Sequence, residues 1–232
     1  MVIGPAVGLF LMMCAGLAGV VLLAGALIAW RSRRDRLALG FAGGLVGLVA
    51  LYLATLVAVS TASQRRVLAR GEVKHFCGFY LDCHLGVSVD EVRTVKAVGG
   101  PEHRLAARGT YLIVALRISS DARSATLSPY GLLAMVVDER GYRYRRARDA
   151  ERVLLGESAG QRLEQKIEAG GSYTRSLVFD LPADARTPAL WVIEEGLPDT
   201  LIEAFLIGDE DSLFHKPTLL SLAAPPATGV GR

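Results

Sequence analysis

The sequence predicts a two-helix transmembrane hairpin followed by an all-β sandwich. Residues 3–30 and 37–60 contain no charged side chain, and a short arginine-rich stretch separates them. Short apolar segments with turn residues between them fill most of the chain after about residue 70. The hydrophobic share is 51% of 232 residues, and the excess lies in the first 60. These observations divide the chain into a lipid-facing part and a water-facing part.

The two uncharged segments predict helices at about residues 4–30 and 37–60, joined by a loop at 31–36. Each segment is longer than the roughly 20 residues that a helix needs to cross the hydrocarbon core. The first segment lacks a basic start and exceeds the roughly 7–15 apolar residues of a cleaved signal peptide. The transmembrane hairpin therefore comprises residues 1–61.

Basic residues on both sides of the second helix bear on its orientation. The positive-inside rule places a loop with four arginines in the cytoplasm and the large domain outside, as in a bacterial inner membrane protein with a periplasmic domain. The residues of this loop are Arg31, Arg33, Arg34 and Arg36. A competing group follows the second helix, within and just after a basic juxtamembrane linker at residues 62–72: Arg65, Arg66, Arg70 and Lys74. The uncharged N-terminus and a cysteine pair favour the outward orientation of the domain.

Small residues at four-residue spacing mark both helices and allow close approach of helix backbones. The pairs are Gly40 with Gly44, Gly43 with Gly47, and Ala15 with Gly19. Either the two helices pack on each other, or they also contact further transmembrane helices of a membrane complex. No ionisable residue lies within either segment, which argues against an ion or substrate path through the membrane.

Residues 73–222 predict the β-sandwich, with seven or eight short strands and a polar turn after residue 137. The strongest strand patterns are residues 85–89, 111–118, 132–137, 173–179, 190–193 and 201–207. Residues 150–168 predict a short surface helix or a long connection, and residues 223–232 a disordered tail.

Several phrases of this domain resemble a bacterial immunoglobulin-like domain family of unknown function, whose members are secreted or membrane-anchored. They are Tyr111–Ile118, Leu127–Tyr130, Met135–Tyr144 and Ile167–Ala185. The resemblance covers about residues 111–207. It implies an extracytoplasmic immunoglobulin-like sandwich that binds or supports a partner, and it implies no catalytic residues.

The segment from His75 to His84 is the clearest candidate for chemistry. Cys77 and Cys83 can form a disulfide that closes a short loop, provided that the domain lies in an oxidising compartment. Alternatively, His75, Cys77, Cys83 and His84 form a ligand set for zinc or copper. Free thiols are the third reading. The disulfide is favoured, so no cofactor is predicted.

A second candidate is an arginine group that follows the predicted turn, comprising Arg143, Arg145, Arg146 and Arg148. It is either an exposed strand face or a contact for lipid headgroups or an acidic partner. No nucleophile motif is present, and nucleic-acid binding has no support from the composition. The sequence thus predicts a non-enzymatic, membrane-anchored accessory or scaffolding subunit or binding module, with a metal-binding or redox protein as the alternative.

Overall fold

The chain forms two compact units in a computed structural model that describes residues 5–76, 83–129, 131–156, 163–194 and 199–223. The first unit takes residues 1–64 and 198–217, and the second takes residues 65–197 and 218–232. The helices are α1 (Pro5–Arg31), α2 (Asp35–Ala62), α3 (Arg148–Leu155) and α4 (Asp199–Ala204). The strands are β1 (Arg66–Leu68), β2 (Lys74–Phe76), β3 (Leu85–Val98), β4 (Leu105–Ser120), β5 (Leu132–Val137), β6 (Arg143–Tyr144), β7 (Ser172–Leu181), β8 (Ala189–Glu194) and β9 (Thr218–Ser221).

Two long helices dominate the first unit, and they agree with the predicted hairpin to within two residues at each end. Arg36, which was predicted in the loop, lies in α2 because the turn is only three residues long. Arg33 makes this turn possible by adopting a left-handed backbone conformation, with φ of 52°. The helices run antiparallel and are long because no proline or charge interrupts either apolar segment.

The first unit also includes residues 199–217, which we call the excursion because the chain leaves the sheets between β8 and β9. The sequence prediction of a strand at 201–207 is wrong: α4 and a series of turns occupy the excursion. Apolar side chains at 201, 202, 205 and 206 recur at helical spacing, and so short an apolar run fits a helix as well as a strand.

Two sheets form the second unit, with strand orders β1-β9-β8-β5-β6 and β2-β3-β4-β7. All strand pairs are antiparallel except β1 with β9, which is parallel. Part of the predicted linker at 62–72 is therefore strand β1. The β5–β6 hairpin forms as predicted, and Gly141 takes the left-handed conformation in its turn, with φ of 84°.

The core of the second unit lies between the inward faces of the two sheets, which gives a β-sandwich. Val87, Leu116, Leu177, Phe179 and Leu190 have no solvent exposure. Burying each such side chain contributes roughly 1.5–3 kcal/mol. The alternation of side chains along each strand directs these residues inward.

Helix α3 covers part of the outer face of the four-stranded sheet. Ala150 of α3 belongs to a second apolar cluster that includes Val98, Tyr111, Ile113 and Val178. Of the predicted helix or connection at 150–168, the structure describes a helix that begins at Arg148 and ends at Leu155. The predicted disordered tail lies almost wholly outside the described residues.

Candidate functional site

The most distinctive surface of the chain is the apolar exterior of α1 and α2. Both helices are long and apolar enough to cross a membrane, and only 6% of the most hydrophobic window of each is buried. Phe10 and Val46, for example, are 65% and 69% exposed. A core helix of a water-soluble protein would bury such side chains, whereas here they form an exposed apolar surface.

The glycines that were predicted for helix packing fall into two groups, those that face the partner helix and those that face away from it. A Cβ atom on Gly44 would lie 3.4 Å from Leu22, and one on Gly19 would lie 3.6 Å from Leu45, so both face the partner helix. A Cβ atom on Gly40, Gly43 or Gly47 would meet nothing within 4 Å.

Gly40, Gly43 and Gly47 follow helical spacing and therefore share one open face of α2. Ala15 lines two shallow apolar grooves on the helix pair, each about 300 Å³ in volume. Sequence analysis missed Gly25, where the ring of Phe41 packs 3.0 Å from the position of a Cβ atom. Its neighbour Phe41 lies on the other helix, so spacing along one helix could not identify it.

Three polar contacts that the sequence did not predict join the excursion to α2 and to Ser63, the residue after α2. The Tyr52 hydroxyl donates to the Phe205 carbonyl at 2.7 Å. The Lys216 amide donates to the Ser63 hydroxyl at 2.9 Å. The two hydroxyls of Ser60 and Ser212 lie 3.1 Å apart and are buried. Tyr52 and Ser60 are polar residues in a mostly apolar helix, and they were the signal in the sequence from which such contacts could have been predicted.

The predicted disulfide and metal residues are only partly described. Cys77 lies outside the described residues, so its pairing with Cys83 stays a prediction. Cys83 is not a free thiol, whereas Cys14 is free and exposed.

Each of the two histidines that were predicted as possible metal ligands lies close to an oxygen atom of another residue. His75 Nδ1 is 3.2 Å from the Cys83 carbonyl oxygen, and His84 Nδ1 pairs with Asp121 at 2.5 Å. Among the described residues, no three metal-ligating side chains cluster.

The arginine group does not form one contact surface. Arg146 is partly buried, and its Nε and a terminal nitrogen donate to the two carboxylate oxygens of Glu151 at 2.8 Å each. Glu151 has no solvent exposure, and it also accepts the Val178 amide at 3.0 Å. The proposed contact role of Arg146 is therefore corrected to a structural one.

The other three arginines, Arg143, Arg145 and Arg148, are exposed. The guanidinium of Arg143 lies 4.4 Å from the ring centre of Trp191, a cation–π contact.

A further buried polar group organises the β5–β6 turn. Asp138 is 3% exposed, and one carboxylate oxygen accepts the amides of Arg140 and Tyr142 at 3.0 and 2.9 Å. The other oxygen accepts the Tyr144 hydroxyl at 3.0 Å. Burial raises the pKa of Tyr144, and the hydrogen bond to Asp138 raises it further.

The side chains of two basic residues after α2 form hydrogen bonds within the sandwich. Lys74 is 4% exposed and donates to the Val192 carbonyl at 2.9 Å, which connects the two sheets. Arg70 donates to the Leu222 carbonyl at 3.0 Å. Arg65 and Arg66 remain exposed. The exposed basic charge after α2 is therefore smaller than the sequence suggested.

Comparison with known proteins finds likeness only among solved structures. No protein-family model and no curated protein matches the chain. A secreted protein from Mycobacterium tuberculosis aligns with a TM-score of 0.42 and 12% identity, covering 69% of this chain and 99% of that one. The yjhA protein from Bacillus subtilis aligns with a TM-score of 0.41 and 16% identity, covering 67% and 99%. An uncharacterized β-sandwich protein from Clostridium difficile aligns with a TM-score of 0.38 and 10% identity, covering 69% and 96%.

Proposed function

We propose that this chain is a non-enzymatic, membrane-anchored β-sandwich protein of the bacterial inner membrane. The hairpin of α1 and α2 is the anchor, and the sandwich is an extracytoplasmic accessory or scaffolding module. The observation that carries the proposal is the uncovered apolar exterior of two helices that are each long enough to span a bilayer. Water would disfavour that surface strongly, and lipid would not.

The distribution of exposed charge supports an outward orientation of the sandwich. Four exposed arginines occupy the turn end of the hairpin, and at the opposite end Arg65 and Arg66 are the exposed members of the competing group. Because Lys74 is buried in the sandwich, it cannot attract anionic headgroups in the folded protein. The positive-inside rule then favours a cytoplasmic turn.

The open glycine face of α2 supports a partner within the membrane. Gly40, Gly43 and Gly47 leave a strip of backbone that no side chain covers among the described residues of the first unit. In lipid, close packing at small residues is a main source of helix association. A further transmembrane helix, in an accessory-subunit complex, fits this strip.

The anchoring proposal can be tested on membranes from cells that express the full chain. We expect the protein to stay in the pellet after an alkaline carbonate wash. Protease added to spheroplasts should remove the sandwich. Release by carbonate would refute the anchor, and cleavage only after lysis would reverse the orientation.

The partner proposal requires purification in a mild detergent and a measurement of particle mass. We expect a particle larger than the monomer, and Gly43→Leu should weaken the association by about tenfold because the side chain fills the open strip. Gly16→Leu is the matched control, since Gly16 lies on α1 and a Cβ atom there also meets nothing within 4 Å. A wild-type monomer alone would reject the subunit role, and equal effects of both variants would reject the assigned face.

A further inference from the structure

The excursion runs alongside the last turns of α2, and its three polar contacts define its position along the helix. Phe205 lies at the level of Tyr52, Ser212 at Ser60, and Lys216 at Ser63. Ser63 follows Tyr52 by eleven positions, which is about 16 Å along a helix. The excursion therefore covers the final three turns of α2.

The same segment also approaches the first turns of α1. A Cβ atom on Gly8 would lie 2.1 Å from the Ile207 carbonyl oxygen, so the two backbones are in direct contact. Ile207 also lines the apolar groove that includes Leu11, and it is 1% exposed. The excursion thus packs on both helices at the end opposite the arginine turn.

The composition of the excursion conflicts with a position in the hydrocarbon core. Its 19 residues include five carboxylates and a lysine: Asp199, Glu203, Asp209, Glu210, Asp211 and Lys216. Charged groups within a bilayer are strongly disfavoured, and irregular backbone exposed to lipid leaves peptide groups without hydrogen-bond partners. A run of three acidic residues begins two positions after Ile207, so the helix turns beside Ile207 must lie near water.

This inference rests on the proposed membrane anchor. We propose that the hydrocarbon core ends near Tyr52 on α2 and near Leu11 on α1, and that the excursion lies among the lipid headgroups around the emerging helix turns. Phe205, whose carbonyl accepts the Tyr52 hydroxyl and whose side chain is 44% exposed, then lies at the boundary with the acyl chains.

The remaining helix lengths match the bilayer. From Arg36 to Tyr52 the helix rises about 24 Å, and from Leu11 to Trp30 about 28 Å, close to the hydrocarbon thickness of about 30 Å. Trp30 and Tyr52 then mark the two interfaces, where aromatic residues are enriched.

The proposal shifts the expected membrane midplane along α2. If the whole uncharged segment from residue 37 to residue 64 were centred in the bilayer, the midplane would lie near residue 50. The proposal places it near residue 44. Leu39 then lies about 8 Å from the midplane instead of about 17 Å, and Val57 lies about 20 Å away instead of about 10 Å. Leu39 is therefore the deeper side chain in the proposed arrangement, and Val57 is the deeper side chain in the centred one.

Tryptophan depth measurements on the full chain in phosphatidylcholine vesicles can decide between the two alternatives. The acyl chains would carry bromine, which quenches indole fluorescence, either near the ester end or near the methyl end. Leu39→Trp and Val57→Trp are a matched pair, because both positions lie on α2 and are 73% and 43% exposed. Each would be made with Trp30→Phe and Trp191→Phe, so that it is the only indole. Phe205→Trp in the same background reports on the excursion.

We expect methyl-end bromine to quench Leu39→Trp at least twofold more than Val57→Trp, and ester-end bromine to quench Phe205→Trp most. The opposite order for Leu39 and Val57, or strongest methyl-end quenching of Phe205→Trp, would overturn the inference. Native Trp30, as the only indole in Trp191→Phe, tests the anchor separately. If neither bromine position quenches Trp30, the membrane anchor itself fails. If Trp30 is quenched and the depth order is reversed, only the inference fails.

Discussion

The buried ion pair between Arg146 and Glu151 gives the sharpest stability prediction. Arg146→Met would leave the Glu151 carboxylate, which has no solvent exposure, with the Val178 amide as its remaining donor among the contacts described above. Removing one partner of a buried pair typically costs about 3–5 kcal/mol. The side chain of Arg146 is 17% exposed and that of Glu151 is 0% exposed. Removal of the arginine should therefore cost more than removal of the glutamate, about 4 against about 3 kcal/mol.

The assay is urea unfolding of the full chain in detergent micelles, with Trp30→Phe as the background. Trp191 in β8 then reports on the sandwich alone. Arg145→Met is the matched control, because Arg145 is exposed and the substitution removes the same charge one residue away. We expect a change below about 0.5 kcal/mol for that control.

Equal unfolding free energies for Arg146→Met and Arg145→Met would refute the reasoning. They would show that the ion pair adds no stability beyond that of a surface arginine.

Three further predictions concern other parts of the chain. Gly8→Ala should lower the midpoint of thermal unfolding monitored by Trp30 fluorescence, because the added Cβ atom would collide with the backbone at Ile207. Gly16→Ala should raise or preserve that midpoint, because a Cβ atom there meets nothing within 4 Å. Similar shifts for both variants would show that the excursion does not bind closely at Gly8. The raised pKa of Tyr144 favours its neutral form in the folded state, so this contribution is complete below pH of about 10 and is lost above it. Tyr144→Phe should therefore unfold less steeply with rising alkaline pH, and an unchanged alkaline profile would contradict this. Thiol labelling of the denatured chain should detect one of its three cysteines before reduction and all three afterwards; three reactive thiols without reductant would exclude the Cys77–Cys83 disulfide.

Local patterns in the sequence were sufficient for the hairpin and for most strands. An uninterrupted apolar segment predicts a helix in lipid without reference to the rest of the chain. Alternation and turn residues likewise located β5 and β6 to within a residue or two. These features depend on neighbours in sequence, and their physical cause is the fixed geometry of helix and strand.

Features that depend on distant partners could not be predicted in this way. The strand expected at 201–207 proved to be part of the excursion, because its apolar residues pack on helices about 150 positions away in sequence. The arginine group was interpreted as a surface, because nothing in the sequence near Arg146 indicates that its side chain pairs with Glu151 of α3. The open and closed glycine faces of α2 likewise became distinguishable only when α1 was in place.

The position of β9 has a consequence for how the protein is made. In the five-stranded sheet β9 lies between β1 and β8, although it is synthesised after every other described strand. Until β9 is synthesised, β1 has no partner strand in that sheet among the described residues, and one edge of β8 is unpaired. Such edges favour association between nascent chains. A chain that ends before Thr218 would expose both edges permanently, so we expect it to aggregate or be degraded.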